Sequence, residues 1–158
     1  MPWWYYVTIC TKGMQCCFGE IKNGEMMLNE YGKIVEQEWL RTKEIRKKVD
    51  LDYFVIMPNH MHGIVIIEGQ EYKNYNLNIV ETHRDASLQI VKNNLSYIIR
   101  GFKGSCTKRI RESGFSSFQW QSRFYDHIIR NEKDLDRIRT YIKYNPLKWE
   151  IDEYYEDD

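Results

Sequence analysis

Two apolar runs, LDYFVIM (51–57) and GIVIIE (63–68), stand on either side of a Pro58-Asn59 turn near the middle of the chain. Both are apolar at nearly every position, the mark of strands covered on both faces. Their short separation makes them an antiparallel hairpin, and their composition predicts that the hairpin is central to its sheet. A helical period lies on each side. Before the hairpin, Tyr31, Ile34, Val35, Trp39 and Ile45 follow Asn29, a residue suited to an N-cap. After it come Leu88, Val91, Leu95, Ile98, Ile99 and Phe102, with Gly101 and Gly104 expected near the helix end or at a bend. A β-branched and aromatic stretch precedes the first helix (WYYVTIC, 4–10), and another follows the second (Arg123 to Arg130). CFGEIKNGEMML (17–28) adds a small hairpin around Asn23-Gly24. EKDLDRIRTYIKYNP (132–146) ends the series as a helix stopped by Pro146. The order β-(hairpin)-α-β-β-α-β-α predicts an α+β, ferredoxin-like (split βαβ) antiparallel sheet with helices on one face plus a C-terminal helix.

At 158 residues the chain is long enough for one domain, expected to span 1–158, and too short for two ordinary ones. No apolar run reaches the roughly 18–20 residues that cross a membrane, and MPWWYYVTICTKG lacks the features of a signal peptide. A cytoplasmic protein without a membrane partner is the expectation. Cys10, Cys16, Cys17 and Cys106 show no zinc-ligand spacing and read as free thiols. Net charge is zero, but EIDEYYEDD (150–158), read as a flexible acidic tail, holds six of the 23 acids; residues 1–149 carry about +6 (23 minus 17). Ala86 to Arg111 contains Lys92, Arg100, Lys103, Lys108, Arg109 and Arg111 and no acid, a run that suits either phosphate binding or a solvated helix face. Residues 69–86 read as a loop.

The turn between the two apolar runs carries the chemistry. In MPNHMHG (57–63), alternation along the strand puts His60 and His62 on one face, with Cα atoms roughly 6–7 Å apart, and Met61 on the other. Two neutral imidazoles on a central strand can converge on one divalent cation. The alternative is a polar pair facing solvent, but it places the strand's two polar residues against its own composition. The same His-x-His spacing serves (β/α)₈ barrels and jelly rolls, which length and helical patterns exclude here. Two histidines need further ligands. His83 reads as a surface residue in the loop, and His127 as either close to the site or an edge-strand histidine. On the last helix, Tyr141 and Asn145 share a face one turn apart, beside the apolar stripe Leu135, Ile138 and Ile142. From the residues alone, Tyr141 reads as a core tyrosine and Asn145 as a helix cap before proline, ahead of any role at the histidines.

YFVIMPNHMHGIVII, the FKG of the second helix, WQSRFYDHIIRNEKDL and YIKYNPLKW together resemble the single-tyrosine HUH-endonuclease transposases, in particular the REP-associated tyrosine transposases. The resemblance spans about residues 3–149 and rests most heavily on His-Met-His after Met-Pro-Asn and on Tyr-Ile-x-x-Asn-Pro followed by Lys-Trp. It implies that His60, His62 and Asn145 hold Mg²⁺ or Mn²⁺ and that Tyr141 is the nucleophile, nicking and rejoining single-stranded hairpin DNA through a 5′-phosphotyrosine. Such a family contains both monomers and homodimers that exchange the tyrosine helix. Mixed His/Asn ligation suits Mg²⁺ or Mn²⁺ better than zinc, because an amide oxygen is a hard donor.

DNA contacts are expected from Lys103, Lys108, Arg109, Arg123 and Arg130, and stacking on unpaired bases from no more than one of Trp120, Phe124 and Tyr125. Two other functions compete: a non-catalytic single-stranded nucleic-acid-binding module, which needs no convergence of His60, His62 and Tyr141, and a metal-dependent phosphodiesterase of small nucleotides, which needs no tyrosine.

Overall fold

The computed structural model describes residues 1–69 and 94–151. The expected loop, His83, the helix start at Leu88 and Val91, and the tail beyond Ile151 lie outside the described residues.

Trp3–Cys10 forms β1, Val49–Ile56 β4, His60–Ile67 β5 and Tyr125–Ile129 β6, joined in one sheet of order β4-β5-β1-β6. Each neighbouring pair is antiparallel. The remaining strands, β2 (Gly19–Lys22) and β3 (Glu25–Leu28), make a separate hairpin. Its turn residues Asn23 and Gly24 both have positive φ, 53° and 74°, as a two-residue hairpin turn requires. Helix α1 (Glu30–Glu44) joins β1 to β4 through this hairpin, α2 (Leu95–Glu112) precedes β6, and α3 (Glu132–Tyr144) closes the chain ahead of a 3₁₀ segment at Pro146–Ile151. The split βαβ order expected from the sequence is therefore present. Among the described helices none is long and apolar enough to cross a membrane.

Two details differ from expectation. Of the two apolar runs only β5 is central, flanked by β4 and β1; β4 is an edge strand. Its apolar composition reflects cover from helices rather than from neighbouring strands, with Val55 packed under α3 and Phe54 beside Trp39 of α1. Gly101 and Gly104 lie in the interior of α2, not at its end. The apolar spacing of Ile98, Ile99, Phe102, Cys106 and Ile110 carries the helix past both glycines, since buried stripes outweigh a glycine's helix penalty of about 1 kcal/mol.

The sheet is covered on both sides, and this two-sidedness positions the site. Val7, Ile9, Met61, Val65 and Ile67 face α1 and α2 and form the larger core with Val35, Trp39, Ile98, Ile99, Phe102 and Phe118. Gly63 belongs to this face: a Cβ there would meet the Trp39 ring at 2.4 Å, so the strand's glycine makes room for the largest buried side chain. On the opposite face Ile64 and Ile129 meet Ile138 and Ile142 of α3, joined by Trp4, Tyr6, Val55 and Leu135. His60 and His62, alternating with Met61, project into the α3 side.

Candidate active site

β5 begins at His60, immediately after a turn that is buried rather than exposed. The segment 11–18 wraps it. The Pro58 carbonyl accepts from the N–H groups of Cys17 and Phe18 at 2.8 and 3.0 Å, and the Asn59 carbonyl accepts from the Thr11 N–H and hydroxyl, both at 3.0 Å. Met57 N–H donates to the His60 carbonyl at 2.8 Å to close the hairpin. The turn is thus held by backbone bonds on two sides, which fixes where His60 starts.

Both imidazoles are fully buried, and their Nε2 atoms lie 3.0 Å apart. Each Nδ1 is held from behind. His60 Nδ1 donates to Asn59 Oδ1 at 2.7 Å, and Asn59 is itself anchored by its amide N–H donation to the Met14 carbonyl at 3.2 Å. This leaves the His60 Nε2 lone pair pointing forward. His62 Nδ1 contacts the Thr8 hydroxyl at 2.7 Å and the Tyr6 hydroxyl at 2.8 Å. Hydroxyls both donate and accept, so His62 can hold its proton on either nitrogen. With the proton on Nε2, it donates to His60 Nε2; with the proton on Nδ1, two bare lone pairs face one another and favour a cation between them. Partners of this kind behind a histidine orient it as a metal ligand. Tyr6 and Thr8 come from β1, where Thr8 lies directly across from His62.

Helix α3 supplies the rest. The Tyr141 ring centre lies 5.2 Å from that of His62, in an edge-on arrangement, and the Trp149 ring stacks 6.2 Å from His60. Asn145 stands four residues from each, so the run 141–149 lies along the imidazole pair. Asn145 caps the helix, its N–H donating to the Ile142 carbonyl at 3.3 Å. Its side-chain oxygen, however, is buried and has no hydrogen-bond partner among the described residues. A buried acceptor left unpaired costs on the order of 1–3 kcal/mol, which a hard cation would offset.

These donors fit a divalent metal ion. Two ligand nitrogens about 2.1 Å from a common centre and at right angles would be about 3.0 Å apart, the spacing of neighbouring octahedral positions, and 3.0 Å is the observed Nε2 separation. Among the described residues no three His, Cys, Asp or Glu side chains cluster as a metal site; the buried, unpaired Asn145 amide oxygen would be the third protein donor. Burial pushes the imidazole pKa values far down, to about 2 for His60, with His62 beside it adding to the shift, and to about 3 for His62. Both rings are neutral across the physiological range and present lone pairs without proton competition.

That shift has a consequence for stability. Unfolded, each histidine titrates near 6.5; folded, near 2–3, so between those limits the unfolded chain binds protons that the folded chain does not. Their contribution is fully present above pH 6.5 and is lost as pH falls toward 3. The chain's urea midpoint should therefore fall steadily from pH 7 to pH 4, and a His60→Ala/His62→Ala double variant should show a flatter dependence over the same interval. Equal slopes would rule out the buried pair as the source.

Helix α3 is tied to both edges of the sheet. On the β4 side Arg139 makes a two-pronged ion pair with Asp52, Nε and Nη2 donating at 2.8 and 2.7 Å, and this pair pulls the Asp52 pKa below its usual value. Asp52 sits in a register irregularity between Leu51 and Phe54, and bulges of this kind re-aim side chains. On the β6 side His127 Nε2 lies 2.7 Å from Asp134 Oδ2, and Asp134 also accepts from Arg137 at 2.7 Å. His127 is therefore an edge-strand histidine that touches the tyrosine helix. Asp52→Asn should lower stability by about 1–2 kcal/mol, since charged paired hydrogen bonds are strong, measured as a drop in Tm. It should also slow any reaction of Tyr141 more than it weakens substrate binding.

The five basic residues expected to contact DNA do not form one surface. Lys103 and Lys108 line a groove on α2, joined by Arg111. Arg109 is turned to α1, bonding Glu38 at 3.0 Å and Gln37 at 2.8 Å. Arg123 is exposed just before β6, and Arg130 lines a separate 330 Å³ cleft with Trp3 and Trp4, at the far end of β1 from His60. Of the three candidate stacking rings, Trp120 is buried in the main core and Phe124 packs against it; Tyr125 is 57% exposed on the α3 face, its ring 6.2 Å from that of Tyr6.

Comparisons with known proteins agree with this architecture. No protein-family model matches the chain. A Haemophilus influenzae protein of uncharacterised function is 38% identical over 153 residues, 97% of this chain and 85% of that relative. A second protein of that organism, provisionally named a REP-associated tyrosine transposase, is 33% identical over 93 residues, 59% of this chain and 47% of the relative. Among solved structures, a REP-associated tyrosine transposase bound to a REP hairpin superposes with a TM-score of 0.60 at 20% identity, covering 92% of this chain and 67% of that one. The crystal structure of a Deinococcus radiodurans protein provisionally assigned as a transposase gives 0.55 at 11% identity, covering 90% of both chains. In part of its sequence and in its fold the chain thus resembles the REP-associated tyrosine transposases.

Proposed function

We propose that the protein is a transposase-like, metal-dependent single-stranded DNA endonuclease and strand transferase, with Tyr141 as nucleophile and His60, His62 and Asn145 holding Mg²⁺ or Mn²⁺. One observation carries this reading: the Tyr141 ring meets His62 edge-on at 5.2 Å, at two buried imidazoles whose Nε2 atoms are 3.0 Å apart, while Asn145, one turn along the same helix, keeps a buried oxygen without a partner among the described residues. The metal would act as a Lewis acid on a phosphate oxygen. The rest of the chemistry belongs to this chain. Tyr141 Oη attacks phosphorus, its proton leaves, the P–O bond to the 3′ oxygen breaks, and a 5′-phosphotyrosine and a free 3′-OH result. Because the new ester retains the bond's reactivity, a second DNA 3′-OH can displace Tyr141 and rejoin strands without ATP.

The partner proposed is single-stranded DNA with hairpin structure, in keeping with the REP hairpin held by the solved relative. The same-chain site is the proposed one, and its support is that α3 lies on its own chain's sheet, held by Ile138, Ile142 and the Asp52–Arg139 pair. The test is a library of labelled single-stranded hairpins with Mn²⁺, scored for a denaturant-resistant protein–DNA adduct. Cleavage without an adduct would favour a water-using phosphodiesterase, and binding with neither would favour a non-catalytic module.

A further inference from the structure

A groove of about 640 Å³ lies away from the histidine pair, between α2 and the segment 119–122. It is lined by Lys103, Lys108 and Arg111 and by no carboxylate; Thr107, Gln119, Gln121 and Ser122 supply the remaining polar groups. Two of the cations shape the groove: Lys103 Nζ donates to the Gln121 carbonyl at 2.6 Å, and Arg111 Nε to the Phe118 carbonyl at 3.0 Å. Lys108 is exposed and has no partner among the described residues. Trp120, which also lines the groove, keeps a buried indole N–H without an acceptor. Three cations with no carboxylate in the lining describe a site for an extended anion.

Its position joins it to the site on the other face. Gln121 N–H donates to the Cys10 carbonyl at 2.9 Å, Trp120 bridges to Thr11, and Cys10 lies directly across from His60. The groove wall and His60 are thus two strand spacings apart, about 10 Å. From Gln121 the chain runs past exposed Arg123 to Tyr125, whose ring approaches that of Tyr6 behind His62.

We propose that this groove holds the phosphodiester backbone of the single strand flanking the cleaved bond, with Lys108 and Arg111 as phosphate contacts and the strand turning round the sheet edge at residues 121–125. The proposal rests on the DNA reading above and adds to it where the strand runs. Backbone contacts of this kind are independent of sequence and weaken with salt, by about 0.7 in the log–log slope for each phosphate neutralised on a single strand.

The test is anisotropy of a labelled oligothymidylate titrated with the full chain in EDTA at several salt concentrations. Lys108→Glu should weaken binding at least about 5-fold and reduce the salt slope by about 0.7. Lys43→Glu on α1, the same charge change on an exposed position outside the groove, should leave both unchanged. Lys103→Gln combined with Lys108→Glu should weaken binding further, with thermal melts confirming that each variant is folded. The groove assignment is overturned if wild-type protein binds while both groove variants match it, or if Lys43→Glu has the same effect as Lys108→Glu. Wild-type protein that binds no single strand overturns the DNA reading itself.

Discussion

Tyr141→Phe is expected to abolish the denaturant-resistant DNA adduct and to slow strand cleavage by at least about 1000-fold, the scale on which removal of a catalytic nucleophile acts. The substitution removes one hydroxyl from a side chain that is 39% exposed, and keeps the ring that meets His62 edge-on at 5.2 Å. Packing of α3 rests on Ile138 and Ile142 and is untouched. Folding, Mn²⁺ binding and DNA binding should therefore stay near wild type, separating loss of chemistry from loss of structure. The comparison is measured by denaturing gel and by single-turnover cleavage of the same hairpin. Cleavage that continues at the wild-type rate in Tyr141→Phe would assign the nucleophile to water and sink the tyrosine mechanism.

His60→Ala and His62→Ala should each remove metal-supported cleavage and lower Mn²⁺ affinity by more than about 100-fold, since even residues behind metal ligands contribute 10–100-fold. The two Nε2 atoms act as a pair, so losing either leaves one nitrogen and one amide oxygen, too few donors to compete with water. Calorimetric titration with Mn²⁺ reads the effect directly. Binding of oligothymidylate in EDTA should persist in both variants, because the groove cations lie on α2. Asn59→Ala makes a milder version of the same test: it leaves both ligands in place but releases His60 Nδ1, and should weaken Mn²⁺ binding within the 10–100-fold range. Retention of wild-type Mn²⁺ affinity in both alanine variants would rule out the pair as the metal's ligands.

Much of this arrangement was legible before any coordinates. Alternation along GIVIIE and its neighbours placed His60 and His62 on one face and Met61 on the other, because a strand's side chains have a period of two. Helical periodicity put Tyr141 one turn from Asn145 and marked Leu135, Ile138 and Ile142 as the buried stripe. The N-cap at Asn29 is present as expected, its side chain accepting from the Tyr31 and Gly32 N–H groups. The edge position of β4 was not legible, because a strand covered by helices on both faces and a strand flanked by strands are equally apolar. The helical glycines were misplaced for a related reason: a local propensity was weighed without the tertiary packing that overrides it.

The residues behind the histidines were missed as well. Tyr6 and Thr8 sit in WYYVTIC, some 50 positions from His62, and nothing local marks them. Their alternation as polar residues on one face of a strand was a signal, but only the β1–β5 register turns it into contact. The basic residues show the same limit. A run of like charge states how many cations there are, while the helix period and the α1–α2 seam decide that Arg109 meets Glu38 and that Lys108 and Arg111 face a groove.

By itself the sequence determined the order of elements, the face of each strand and helix that is apolar, and that His60 and His62 share one face of a strand. Those properties follow from local periodicity and residue chemistry. Only the tertiary structure decided that α3 lies across the β5 face, tied to Asp52 and His127 at opposite edges, so that Tyr141 meets His62 and Trp149 meets His60. Convergence of residues 80 apart depends on sheet order, register and helix placement, and these are settled by how both faces of one sheet are covered at once.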